Sequence, residues 1–392
     1  MDSRDKELVE FVQRAIQAQS YSGQEDKVAQ VMKSAMEKYG FDEVIIDEYG
    51  SVIGTINGKR KGPTILMDGH IDTVDVIDAD QWKHDPFAAE ISDGKIWGRG
   101  TSDMKGSDCA MITAAARLKE STNGDFAGKI CVSCTVHEEC FEGVSSRAVS
   151  KYVKPDFVII GEATSGTVKI GQRGRAEVVV ETEGVSCHSS NPEKGVNAVY
   201  AMTGIIDEIR KIKPNEHPVL GKGILELTDI MSYPYPGASV VPSKCRATYD
   251  RRLLVGEDEK TVLGQVEDAI AKAKEKNPGL KAKTYLAEGE HSCWTGNTIK
   301  AKRFFPAWCY DTENPYIKKA CKGLENAGIP YKISHFSFCT NGSHFCGEAG
   351  IPGIGYGPSE EWLAHVRDEY IEIDALLSAC RGFESILREL TK

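Results

Sequence analysis

Seven side chains spread from position 70 to position 365 are of types that hold divalent metal ions or move protons. They are His70 and Asp72 in GHIDTVD, Asp103 in GRGTSDMKG, Glu138 and Glu139 in HEECFEG, Glu162 in VIIGEAT and His365 in AHVRDEY. On an extended strand, residues i and i+2 share a face, so Asp72 can accept the free ring N–H of a metal-bound His70 and raise its basicity. An isolated HxD reads first as a hydrogen-bonded His beside a turn. Asp103 sits in a glycine-rich turn ahead of a helix, where backbone N–H groups favour anionic oxygens and where a plain helix cap fits as well. Lys105 reads as a solvated or packing residue. Adjacent Glu138 and Glu139 repel each other unless a cation lies near or one keeps its proton. Because neighbouring side chains diverge on an extended segment, one can bind metal while the other reaches a water. Two solvated loop acids are the bland alternative. Taken together, His70, Asp103, Glu139, Glu162 and His365 form a two-imidazole, three-carboxylate set suited to borderline divalent metals such as zinc, enough for two ions if one carboxylate bridges.

These residues need a scaffold that brings them together. The run TILMD is apolar and β-branched, as a buried strand should be, and it stops at His70; KICVSCTV and DFVIIGE stop similarly before Glu138 and at Glu162. Helical periodicity marks Lys6 to Gln17 and Glu25 to Tyr39, and GRGTSDMKG feeds a long Ala-rich helix. This alternation predicts an α/β domain whose functional groups gather at strand ends. From about Ala176 the order becomes strand, helix, strand, strand, helix, strand, a small α+β unit, with NTIKAKRFFPAW as a candidate closing strand. The expected organisation is a discontinuous catalytic domain, residues 1–176 and 309–392, with a mostly parallel, helix-flanked sheet. An inserted ferredoxin-like lid or dimerisation domain spans 177–308.

The chain has 392 residues, 27 % charged and 41 % hydrophobic, and a formal net charge of −10. No apolar run is long enough to span a membrane as a helix. The charge, with no cluster of Lys and Arg, argues against a nucleic-acid partner. The N-terminal stretch MDSRDKELVEFVQRAIQ has no apolar signal region, and twelve scattered Cys suit reduced thiols, so a cytoplasmic setting is expected. Cys131 and Cys134 lie three apart on a strand-like run and so point to opposite faces, which does not suit a shared metal.

The ordered series GHIDTVD, GRGTSDMKG, the Glu138–Glu139 pair, GEAT, CHSSNPEKGVNAV, YDRR and AHVRDEYI resembles the metal-dependent aminoacylases and carboxypeptidases. That group includes acetylornithine deacetylase, succinyl-diaminopimelate desuccinylase and glutamate carboxypeptidase. The likeness runs through essentially the whole chain. It implies His70, Asp103 and Glu162 on one metal, Asp103, Glu139 and His365 on the other, and Asp103 as the bridge. Two divalent ions are implied, zinc first, with cobalt or manganese as alternatives. Glu138 becomes the general base for a metal-activated water, and His188 of CHSS stabilises the oxyanion from the other subunit of a homodimer. Arg252 of YDRR occupies the family position for a substrate carboxylate, and Thr340, Asn341 and Gly342 stand in what resembles the substrate loop. Two departures lie near that loop and its surroundings: His344 where an Asp is often found, and Ser239 where many relatives have Asn. The implied activity is di-metal hydrolysis of an amide in an N-acyl amino acid, small dipeptide or related carboxylate-bearing compound. Retention of all five ligands and Glu138 argues against a non-catalytic binding protein, and the CHSS-bearing insertion favours the dimeric deacylase branch over a di-zinc aminopeptidase.

Overall fold

The computed structural model describes residues 3–392, which divide into two compact units. The first runs to Gln172 and takes in Glu290–Ala301 and Trp308–Lys392; the second comprises Arg173–Gly289 and Lys302–Ala307.

At the centre of the first unit, strand Arg60–His70 pairs in parallel with Ala127–Thr135 on one side and with Phe157–Ile160 on the other. Phe157–Ile160 pairs in parallel with Gly353–Gly355. Antiparallel strands flank this core, Val52–Asn57 and Glu43–Ile46 at one side and Val168–Gln172 with Trp308–Cys309 at the other; Ile333–Phe336 joins Val168–Gln172 in parallel. Parallel strands covered on both faces need no polar alternation, and residues 65–70 are all buried. Alternation still sorts them: Ile65 and Met67 face one apolar cluster, and Leu66 faces the other. Cys134 and Cys131 divide in the same way, and all twelve Cys are free thiols.

The larger cluster is covered by helices Ser3–Gln17, Asp26–Lys38, Lys105–Ser121, Pro315–Asn326 and Ile373–Leu390. A Cβ on Gly323 would come within 2.7 Å of Ile386 Cα, so glycine lets the last two helices touch backbone to backbone. Helix Ser146–Val153 and the π-helical turn Ser343–Glu348 cover the other face through Val149, Phe345 and Cys346.

The second unit is built on a five-stranded antiparallel sheet, four strands in the order Ile224–Tyr233, Lys244–Leu253, Gly174–Glu183, Lys281–Leu286 and a short fifth, Phe304–Phe305, also on Gly174–Glu183. Helices Ala198–Ile209 and Glu259–Lys276 bury Met202, Ile205, Val262 and Val266, and their first turns are capped by Asn197 and Asp258. The strand and helix order is the one expected. The segment read as a single closing strand is two pieces: Thr298–Lys302 forms a hairpin with Glu288–Ser292, and Phe304–Phe305 pairs with Gly174–Glu183. Arg303 separates them, and its N–H donates to Ala287 O at 2.7 Å. Among the described residues, no helix is long and apolar enough to cross a membrane.

Candidate metal centre and active site

Three parallel strands deliver the first ligands. Arg60–His70 ends in His70, Ala127–Thr135 leads into the loop of Glu138 and Glu139, and Phe157–Ile160 leads into Glu162. Asp103 precedes helix Lys105–Ser121, and His365 lies in a loop after Glu361–Leu363. His365 holds a left-handed backbone, φ +62°, uncommon for a residue with a Cβ and frequent at functional sites.

These side chains converge. His70 Nε2 lies 3.0 Å from Asp103 Oδ1, 3.3 Å from Glu162 Oε1 and 3.8 Å from Glu138 Oε2. His365 Nε2 lies 2.9 Å from Glu139 Oε2 and 3.2 Å from Asp103 Oδ2. The two oxygens of Asp103 therefore face two different imidazoles, each flanked by a glutamate.

The proton positions test whether these groups suit a metal. His70 Nδ1 lies 2.9 Å from the main-chain O of Asp72, which can only accept, so Nδ1 donates. In the neutral ring, Nε2 then turns a lone pair toward two carboxylate oxygens, an arrangement that needs a proton or a metal ion between them. Glu138 Oε1 and Glu139 Oε1 are buried without a hydrogen-bond partner. Candidate ligand atoms of His70, Asp103 and Glu139 lie within 4.8 Å of one another, as do those of His70, Glu138 and Glu162. The donor set fits divalent metal.

The electrostatics follow from crowding. Burial lifts Glu138 well above the usual carboxylate range, and repulsion from Glu162 and Glu139 adds to it. Burial also raises Glu162, and raises Glu139 to about 7. Asp103 goes down: burial opposes its charge, but hydrogen bonds from His365 and His70 outweigh that. Asp103 and Glu139 push His365 up to about 10. Burial works against charging His70, yet Glu162, Asp103 and Asp72 together raise it well above the ordinary imidazole value.

Asp72 has a different task from the one expected. Its carboxylate is 3.6 Å from His70 Nδ1, too far for a good hydrogen bond, and its main-chain carbonyl orients the ring instead. The carboxylate accepts the N–H of Glu138 at 3.0 Å, the N–H of Glu139 at 3.2 Å and the Ser22 hydroxyl at 2.7 Å. It thus holds the Glu138–Glu139 loop to the strand that ends in His70.

Thr340, Asn341 and Gly342 are buried, and the Thr340 and Asn341 side chains hydrogen-bond within the protein. Asn341 Nδ2 donates to Asp68 Oδ2 at 2.9 Å and to Thr135 Oγ1 at 2.8 Å, while its Oδ1 accepts Gly143 N–H at 2.8 Å. Thr340 donates to Gln172 Oε1 at 2.6 Å and accepts Gly342 N–H at 3.0 Å. His344 packs between Ser150 Oγ, 2.6 Å, and Glu348 Oε2, 2.7 Å. Of the two readings of Lys105, packing holds and solvation does not: it is fully buried and donates to Ala18 O and Ser20 Oγ, both at 3.2 Å.

His188 and Arg252 stand on the second unit. His188 is exposed, and its Nδ1 accepts Ser190 N–H at 3.1 Å, which puts the ring proton of a neutral imidazole on Nε2. Arg252 donates from Nε to Asp250 Oδ1 at 2.7 Å.

The sequence reading passes over Glu369, although it belongs to the same AHVRDEY run as His365. Its Oε1 accepts the N–H groups of Ser102, 2.8 Å, and Asp103, 3.1 Å; its Oε2 accepts Gly100 N–H at 3.1 Å and Arg99 Nη1 at 2.6 Å. The cue was available: a glycine-rich turn exposes N–H groups that a buried carboxylate can gather.

Comparisons with known proteins identify the family. The model of Peptidase family M20/M25/M40 matches residues 66–389. The uncharacterized protein YgeY of Escherichia coli (strain K12) is 32 % identical over 93 % of this chain and 89 % of its own. Succinyl-diaminopimelate desuccinylase 2 of Ruegeria sp. (strain TM1040) is 28 % identical over 97 % of this chain and 94 % of its own. Among solved structures, the Bacillus subtilis YXEP protein, described as a dinuclear metal-binding peptidase of the M20 family, superimposes with a TM-score of 0.73 at 14 % identity, covering 98 % of each chain. With the fold, the converging ligand set and a family match over most of its length, this chain belongs to Peptidase family M20/M25/M40.

Proposed function

We propose that the chain is a di-metal amidohydrolase that cleaves the amide bond of an N-acyl amino acid, small dipeptide or related carboxylate-bearing amide. Membership of the family makes it a metal-dependent hydrolase of amide or peptide bonds. The observation that carries the site assignment is Asp103, whose two oxygens face His70 and His365 at 3.0 and 3.2 Å. His70, Asp103 and Glu162 would hold one ion; Asp103, Glu139 and His365 would hold the other. Bound divalent ions supply an acidified water and polarise the amide carbonyl.

The chain's own groups do the rest. Glu138, buried beside His70 and with one oxygen unpartnered, accepts the proton of the attacking water and returns it to the leaving nitrogen. Burial, which raises its pKa, favours its holding the proton between the two steps. Asp72 fixes the backbone on which Glu138 and Glu139 stand. By the family resemblance, His188 donates from Nε2 to the developing oxyanion and Arg252 reads a carboxylate; the Nδ1 contact with Ser190 supports the first role. Zinc is the metal we propose, with cobalt or manganese as alternatives. A cytoplasmic setting is proposed from the twelve free thiols.

The test is metal analysis after loading with zinc, cobalt or manganese, followed by a panel of N-acyl amino acids and dipeptides with and without chelator. Two ions per chain and chelator-sensitive hydrolysis are expected; absence of stoichiometric metal removes the assignment.

A further inference from the structure

The hairpin Glu288–Ser292 and Thr298–Lys302 is not accounted for by the site above. In sequence it interrupts the second unit, yet residues Glu290–Ala301 belong with the first. Its turn is firmly mounted there. Cys293 is buried, Thr295 Oγ1 donates to Glu48 O at 2.8 Å, and Asn297 Nδ2 donates to the same oxygen at 2.6 Å. Trp294 lies so close to Gly50 that a Cβ there would stand 2.1 Å from Nε1. Gly50 has φ +109° and Gly23 φ +88°; a Cβ on Gly23 would stand 2.8 Å from Ser292 O. Two glycines thus let the arm seat against the first unit's backbone.

The mounted arm presents His291 to a cavity of about 1000 Å³ whose wall also includes Glu139, His365, Tyr21 and Arg367. The ring of His291 meets Phe141 at 5.5 Å and 87°, and His137 at 5.8 Å and 83°. His137 is buried, immediately precedes Glu138 and holds a left-handed backbone, φ +58°. Aromatic packing on two sides fixes the imidazole, while neither of its nitrogens hydrogen-bonds to a described residue. A fixed, exposed imidazole with both nitrogens available, in the cavity shared with two candidate ligands, is equipped to touch what is bound there.

We infer that His291 is a specificity-determining residue that donates a ring N–H to the carboxylate of the substrate held in this cavity. The inference rests on the amidohydrolase reading, which supplies a carboxylate-bearing amide. Neutral imidazole has one N–H to give, so the contact does not require a charged ring. Arg99 and Arg367 also line the cavity and add positive charge to it. Asp75 and Asp78 also line the cavity and repel an anion from their own part of the wall.

The test uses zinc-loaded Glu138→Gln protein, which removes the base, and compares it with the Glu138→Gln/His291→Ala and Glu138→Gln/His291→Gln proteins by calorimetric titration. The probes are N-acetyl derivatives of glycine, leucine, glutamate and lysine, each with a free α-carboxylate or as the α-carboxamide. His291→Ala should weaken the carboxylate probes about 10-fold or more and change the carboxamides by less than about 3-fold, the range of a hydrogen bond to a charged group. His291→Gln, which keeps an N–H donor, should recover part of the loss. An equal loss on both probe sets would mark a packing role and overturn the inference, as would an unchanged ratio or a parent that does not prefer the carboxylates. Failure of the di-metal reading shows separately, as absent zinc uptake by the parent; the probe comparison is then made on the metal-free chain with the same criteria.

Discussion

Glu138 and Glu139 are chemically identical neighbours, and their surroundings assign them different tasks. Glu139 faces His365 at 2.9 Å, whereas Glu138 lies 3.8 Å from His70 and is lifted well above the carboxylate range by burial. Glu138→Gln keeps the shape of the side chain and removes the proton acceptor. Turnover on the best panel substrate should fall about 10²- to 10⁴-fold while metal content by elemental analysis stays at the wild-type level. Unchanged turnover would dismiss Glu138 as the base. Glu25 offers a test of electrostatics away from the ligands. Burial raises it from 4.5 to about 8, with repulsion from Asp72 adding to the shift. The folded chain therefore keeps a proton on Glu25 that the unfolded chain releases, and this group's contribution to stability is present below pH 4.5 and is lost as pH rises toward 8. Glu25→Gln abolishes that titration. In urea unfolding of the metal-free protein, the variant should gain stability relative to wild type on going from pH 5 to pH 8; a difference that does not change with pH refutes the assignment.

At the scale of elements, two buried polar side chains act as ties. Asn341 joins strand Arg60–His70 through Asp68, strand Ala127–Thr135 through Thr135, and the chain beyond Glu139 through Gly143 N–H. Glu369 gathers the GRGTSD turn that carries Asp103. Both sit one step behind a ligand, where a missing hydrogen bond leaves a buried group unpaired. Asn341→Ala should cost about 2–4 kcal/mol in urea unfolding, since it strands a carboxylate, a hydroxyl and an amide. It should also weaken metal binding, because the Glu139 loop and the His70 strand lose their common anchor. A variant as stable as wild type would mean the network relaxes without it. Asn341 was legible in the sequence only as a polar residue in a glycine-rich loop. Its partners lie 198 to 273 positions away, so no local pattern could show that its side-chain amide was already engaged in three hydrogen bonds.

At the scale of the whole molecule, strand Ile224–Tyr233 is an edge of the second unit's sheet and is exposed along much of its length. Ile230 is 46 % exposed, Met231 52 % and Tyr233 64 %. An open, apolar edge strand invites pairing with another chain unless it is covered, and it lacks a partner on that side among the described residues. This supports the homodimer we propose, formed by strand addition between two copies. Replacing Ile230 and Met231 together by Lys places charge on both faces of the edge. The variant should sediment as a monomer at micromolar concentration, where wild type should sediment as a dimer; a monomeric wild type would dismiss the interface.

The sequence by itself determined the class of chemistry and the frame that holds it. Apolar strands that stop at His70, before Glu138 and at Glu162 are local patterns, and so are the periodicities of the helices that cover them. The ligand types follow from identity alone, and the order of the motifs gave the family that the comparisons bear out. Tertiary structure decided what depends on distance between remote residues. It gave the His70 ring to the Asp72 carbonyl rather than to its carboxylate, and turned that carboxylate to the Glu138–Glu139 loop. It buried Thr340 and Asn341 in internal networks and seated the His291 arm on Glu48 and Gly50. Spacing can say which residues share a face; which of two oxygens meets a given donor is set only when the packed backbone fixes their separation.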